Sequence, residues 1–100
     1  MELEWDEAKR RANLVKHDVD IVYAALIFEG WVYQAEDRRY DYGEVRFRSV
    51  GMLDGQCYVV VHTERNGCIR LISAWKGGRR DREKYQARYA GRDSPDAGTR

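Results

Sequence analysis

"QCYVVVHTERNGCIRLISAWK", residues 56–76, carries β-branched and alternating side chains on both sides of Asn66-Gly67. An Asn-Gly pair between such runs is the signature of a two-residue hairpin loop, because both central residues must take positive φ. Upstream, Asp54-Gly55 separates "EVRFRSVGML", residues 44–53, from the same stretch in the same way. The two turns together predict a three-stranded antiparallel meander.

Two-residue loops also determine the pairing, since a one-residue slip would turn every side chain to the opposite face. Arg65 then lies opposite Cys68, Thr63 opposite Arg70, and Arg46 opposite Thr63. One face collects Val45, Phe47, Val60, Ile69, Leu71 and Trp75, with His62, Glu64 and Ser73 among them. It is mainly apolar and is expected to take the helices. The other face collects Val50, Met52, Val59, Ile72 and Ala74 at one end, and Arg46, Arg48, Thr63, Arg65 and Arg70 at the other. Like charges on neighbouring strands repel, at roughly 0.2–1 kcal/mol per cross-strand pair. A purely structural sheet would mix signs there. The same register separates Cys57 from Cys68 by about 26 Å along the strands, too far for a disulfide.

Outside the meander, "LEW" at 3–5 reads as a short strand and "WVYQAED" at 31–37 as another, followed by a loop at "RRYDYG". Asp6 is a good N-cap with Glu7 in the first turn. In the helix that follows, Ala8, Ala12 and Val15 form a narrow apolar stripe, and Lys9, Asn13, Lys16 and His17 form a second, mostly cationic one. "DVDIVYAALIFEG", residues 18–30, predicts a second helix capped by Asp18 or Asp20 and ended by Gly30. "RRDREKYQARYAG", residues 79–91, predicts a third, with Tyr85 and Tyr89 one turn apart. The reading is an α+β fold in the order β-α-α-β-β-β-β-α: an antiparallel sheet with two N-terminal helices and one C-terminal helix, all helices on one face. Residues 1–91 form a single domain and 92–100 a polar, disordered tail.

The net charge of +1 conceals an uneven distribution: residues 29–44 hold five acids and two arginines, residues 76–92 seven Lys or Arg and two acids. No apolar run reaches the roughly 18 residues of a membrane span, and "MELEWDEAKR" has no signal-peptide core. A cytoplasmic protein without membrane association is expected. The two cysteines show no CxxC or Cys/His spacing, so neither a zinc site nor another cofactor is expected.

A cluster of arginines beside aromatics suits a phosphate-rich polymer, because guanidinium holds phosphate with two hydrogen bonds and stacks on bases. An acidic protein partner and a solvated basic face are the competing readings. His17, His62 and Glu64 are the candidates for proton transfer, with His62 on the apolar face and therefore a candidate core histidine. Tyr85 could pack its helix or reach a phosphate or base. No nucleophile elbow, phosphate-binding glycine loop or metal constellation is present, so any chemistry must run on acids, bases and cations. RNA cleavage is such a reaction, because the ribose 2′-hydroxyl is its nucleophile.

"EWDEAKRRANLVKHDVD", "AALIF", "HTERNGCIRLISA" and "RRDREKY", in this order, resemble the BrnT family of toxin–antitoxin ribonucleases. The resemblance implies a RelE-like fold, RNA cleavage without a metal, and neutralisation by a ribbon-helix-helix antitoxin, BrnA, through which alone DNA would be met. It marks Lys9, Asn13, Lys16 and His17, then Arg65 and Arg70, then Tyr85. Where the family pattern has an arginine after "ISA", this chain has Trp75, a stacking surface. Expected catalytic residues are His17, Glu64, Arg65, Arg70 and Tyr85, with either His17 or Glu64 as the base. Expected RNA contacts are Lys9, Asn13, Lys16, Arg46, Arg48, Trp75, Arg79 and Arg80. The expected activity is that of a metal-independent endoribonuclease toxin that inhibits translation. The alternative is a non-catalytic RNA- or protein-binding module using the same arginine-rich face.

Overall fold

A computed structural model describes residues 2–92; the expected tail, apart from Arg92, lies outside them. The elements are β1 (Glu2–Glu4), α1 (Glu7–His17), α2 (Ile21–Ala24), a 3-10 segment (Ala25–Glu29), β2 (Tyr33–Glu36), β3 (Phe47–Leu53), β4 (Gln56–Arg65), β5 (Cys68–Lys76) and α3 (Arg79–Gly91). The fold is α+β, with one five-stranded sheet in the order β1-β5-β4-β3-β2. Among the described residues no helix is long and apolar enough to cross a membrane.

Both hairpin turns form as expected. Asp54 and Gly55 have φ of 48° and 79°, Asn66 and Gly67 of 51° and 81°, which is the left-handed pair a two-residue loop requires. Arg65 faces Cys68 and Thr63 faces Arg70. On the other side of β4, Phe47 faces His62, and Thr63 Oγ1 donates to the Val45 carbonyl at 2.7 Å.

Three expectations about the sheet need correction. The sheet is mixed, because β1 runs parallel to β5 with Leu3 beside Ile69. No turn links these strands, so nothing local in the sequence marks their pairing. Helices also cover both faces. Ile21, Ala24 and Ile27 pack on Tyr58, Val60 and Leu71, whereas α3 lays Tyr85 against Val50, Cys57 and Val59 on the opposite side. Finally, β5 carries a bulge: His62 pairs with Leu71 and Val61 with Ser73, leaving Ile72 without a partner. One extra residue inverts the alternation beyond it. Ala74 therefore turns into the helix-covered core, and Ser73 and Trp75 turn onto the arginine-bearing face.

The second helix is shorter than expected, four residues of α-helix passing into the 3-10 segment. Asp20 supplies its cap, accepting from Val22 N at 2.9 Å, and is held by Arg10 through two bonds of 2.9 Å. The tighter segment lowers Ile27 onto Gly51, where a Cβ would meet Ile27 Cβ at 2.6 Å.

His62 is a core histidine. It is buried between Phe28 and Phe47, with Nε2 2.8 Å from Ser49 Oγ, and burial pushes its pKa from 6.5 down to about 4. The unfolded chain therefore binds a proton near pH 6.5 that the folded chain refuses until about pH 4. Stability should fall by about 3 kcal/mol as pH drops through that window, because each tenfold weakening of proton affinity on folding corresponds to about 1.4 kcal/mol. His62→Leu should flatten the upper part of this window, above the range where carboxylates titrate. Urea unfolding at pH 7 and pH 5 measures it, and an unchanged slope in the variant would assign the effect to other groups.

Candidate active site

The site begins with an unpaired strand edge. β1 accompanies β5 only as far as Arg70, so among the described residues the backbone beyond it has no strand partner on that side. A buried, unpaired amide or carbonyl is costly, and Asn13 of α1 satisfies both groups of Ala74. Its Oδ1 accepts from Ala74 N at 3.1 Å and from Ser73 Oγ at 3.1 Å; its Nδ2 donates to the carbonyls of Ala74 at 2.8 Å and Val19 at 2.9 Å. Asn13 is the one buried residue of α1, while the apolar stripe of Ala8, Ala12 and Val15 is exposed. A polar side chain, not an apolar stripe, thus decides which way α1 faces.

That docking brings the last turn of α1 over the strand, beside side chains that the bulge has reversed. Lys16, His17, Arg39, Ser73, Trp75 and Lys76 line an open cleft of about 670 Å³. A smaller recess of about 190 Å³ continues along α1 past Lys9, Asn13 and Ile72. The His17 ring lies 5.8 Å from the Trp75 ring, tilted by 42°. The Arg39 guanidinium, from the segment between β2 and β3, stands 5.7 Å from the same ring. Among the described residues neither Lys16 nor Lys76 has a carboxylate partner. The cleft can therefore hold an anion and stack a flat ring beside an imidazole able to carry a proton.

The arginine cluster lies farther along the same face and is largely neutralised. Glu44 bridges Arg46 at 3.0 Å and Arg65 at 2.9 Å, and these hydrogen bonds, Arg65 first, lower its pKa. Arg70 meets Glu4 at 3.5 Å. Arg48 differs. Its row runs through Val61 to Ser73, which puts it nearest the cleft, and its buried Nε has no hydrogen-bond partner among the described residues.

The remaining expected residues separate. Arg65 faces Cys68, seven residues before Trp75 on β5, or about 23 Å along the strand. Glu64 is exposed and pairs with Ile69, so its side chain leaves from the face that packs α2 and the 3-10 segment, opposite to the face that carries Ser73 and Trp75. Tyr85 is buried: its hydroxyl donates to the Trp31 carbonyl at 3.3 Å, and burial pushes its pKa up. Lys9 is exposed beside the recess, and Arg79 and Arg80 are exposed at the start of α3, where Arg79 pairs with Glu83 at 3.2 Å.

Sequence reasoning alone misses Arg39, Ser73 and Lys76. Arg39 lies in the acid-rich stretch, and strict alternation, which hides a bulge, places Ser73 on the wrong face. Lys76 ends the β5 run, and its lack of an acidic neighbour in sequence is its only signal. Among the described residues no three His, Cys, Asp or Glu side chains gather in a way that would hold a metal ion.

A family model described as "Ribonuclease toxin, BrnT, of type II toxin-antitoxin system" matches residues 5–81. The match spans α1 and all six lining residues of the cleft. No curated protein matches the chain.

Proposed function

Because the chain belongs to the BrnT family of ribonuclease toxins from type II toxin–antitoxin systems, we propose that it cuts RNA in the cleft beneath α1. The observation that carries this reading is His17, suspended over a cationic cleft beside an aromatic ring. His17 takes the proton of a ribose 2′-hydroxyl. The 2′ oxygen attacks the adjacent phosphorus, the bond to the 5′ oxygen breaks, and that oxygen leaves with a proton from water, to which the cleft is open. Lys16, Lys76 and Arg48 offset the charge that grows on the phosphate, so no metal is needed for that task. Trp75 stacks a neighbouring base, which orients the scissile bond.

Glu64 is not the base in this reading, because it leaves from the other face. Arg46, Arg65 and Arg70 hold flanking RNA or the antitoxin, with Glu44 and Glu4 as their resting partners. The antiparallel run of β2 to β5 supports a RelE-like fold. Cleavage in the cytoplasm would inhibit translation. A ribbon-helix-helix antitoxin with an acidic docking segment would cover the basic face, and only through it would the complex meet DNA. Such docking weakens with salt.

The test is incubation of the purified chain, free of antitoxin, with RNA in EDTA. Fragments ending in 2′,3′-cyclic phosphate are expected, and 2′-O-methyl substrate should stay whole. Intact RNA at neutral pH and low salt would overturn the proposal in favour of a non-catalytic binding module.

A further inference from the structure

The segment between β2 and β3 reads as an acidic loop, yet it delivers a guanidinium to the cleft. Asp37 begins the segment. Its side chain is fully buried, and its backbone N–H donates to the Arg46 carbonyl at 2.7 Å, tying the two ends of the segment together. The carboxylate accepts from Arg39 Nε and Nη2, each at 2.9 Å, and also from Arg39 N at 3.2 Å and the Tyr42 hydroxyl at 3.1 Å. These bonds, Arg39 first, hold its pKa down to about 2. The pair therefore stays ionised at neutral pH.

A two-bond fork fixes the plane and direction of a guanidinium, unlike the single carboxylate contact that each of Arg46, Arg65 and Arg70 makes. Arg39 uses two side-chain N–H groups on Asp37. A guanidinium carries five N–H groups, so donors remain beyond the Asp37 fork and the neighbouring Tyr42 hydroxyl, which also interacts with Arg39. The fixed group lines the cleft and stands 5.7 Å from the Trp75 ring, which His17 approaches at 5.8 Å. Arg39 and His17 thus reach one aromatic surface from two different parts of the chain. A donor already held in place needs no reorganisation when negative charge develops nearby, and such preorganised donors contribute most to phosphoryl chemistry.

Resting on the functional reading above, we infer that Arg39 contacts a backbone phosphate of the RNA seated in the cleft, and that Asp37 is its positioning residue. Lysine would not replace it, because an ammonium cannot both satisfy the Asp37 fork and reach the phosphate.

The experiment uses the full chain with Arg39→Ala, Arg39→Lys and Asp37→Asn. Single-turnover cleavage is read on an RNA oligonucleotide, and binding on the same oligonucleotide with 2′-O-methyl riboses across a range of salt. Arg39→Ala should slow cleavage about 100-fold or more, the effect of removing one preorganised donor. It should lower the slope of log Kd against log salt by about 0.7, the value of one phosphate contact on a single strand. Arg39→Lys should recover less than a tenth of the lost rate. Asp37→Asn should slow cleavage while retaining the salt slope, since the charge remains but its aim is lost. Should Asp37→Asn fail to fold, the two Arg39 variants decide alone. Wild-type rate and salt slope in Arg39→Ala would overturn the inference. If the wild-type chain leaves RNA intact, the ribonuclease reading fails, and the salt slope still decides whether Arg39 touches phosphate.

Discussion

Replacing His17 with glutamine should slow single-turnover RNA cleavage about a thousandfold and leave the unfolding midpoint nearly unchanged. Positioned proton transfer contributes typically 10²- to 10⁴-fold to such reactions, and glutamine retains the side chain's size without its basicity. The fold should tolerate the change, because His17 is partly exposed at the end of α1 and its ring lies against Trp75 at the surface of the cleft. RNA affinity should fall little, since Lys16, Lys76 and Arg39 still line the cleft. Glu64→Gln, made in parallel, should cleave within about twofold of wild type, because that carboxylate leaves from the other face of the sheet. The reverse result, an inactive Glu64→Gln and an active His17→Gln, would transfer the base to the hairpin tip and reject the cleft as the place of chemistry.

Asn13→Ala should cost about 3–5 kcal/mol of stability, a large share of the roughly 5–15 kcal/mol of an ordinary domain. The amide serves Ala74 N, Ala74 O, Val19 O and Ser73 Oγ at once. Alanine leaves buried backbone groups without partners, at roughly 1–3 kcal/mol each. Asn13→Asp should be at least as damaging, because an acceptor would then face two carbonyl oxygens. Urea unfolding at pH 7 gives the numbers. Any loss of cleavage in folded Asn13→Ala would follow from displacement of Lys16 and His17, whose seat Asn13 secures. A variant with full stability but no RNA binding would instead restore Asn13 to the role of an RNA contact.

The part of the architecture that rests on local chemistry was legible in the residues. Asn66-Gly67 and Asp54-Gly55 adopt positive φ because their side chains permit it, and that alone aligns three strands. Asp6 caps α1 by accepting from Lys9 N three residues away, and the motif around Lys16 and His17 pointed to the family that the match over residues 5–81 supports. His62 was readable as a core residue from alternation.

Everything that turns those pieces into a cleft depends on contacts between distant parts of the chain. The bulge at Ile72 is invisible in a pattern that alternates without interruption. It coincides with a place where Ala74 is fully buried and hydrogen-bonded to Asn13, 61 residues earlier in the sequence. With that inversion Trp75 moves from the apolar face to the cleft, so a single unpaired residue decides which side chains can meet His17. The charge of the arginine cluster is hidden from the sequence for the same reason. Glu44 and Glu4 reach Arg65 and Arg70 from 21 and 66 positions away, distances over which composition predicts nothing. The pairing of β1 with β5 and the docking of α3 on the second face are likewise long-range. Turn and cap preferences act over two to four residues, and that range is where the sequence alone determined this protein. Which faces, edges and charges meet was decided by packing, because burial and unpaired hydrogen bonds are settled only when distant segments come together.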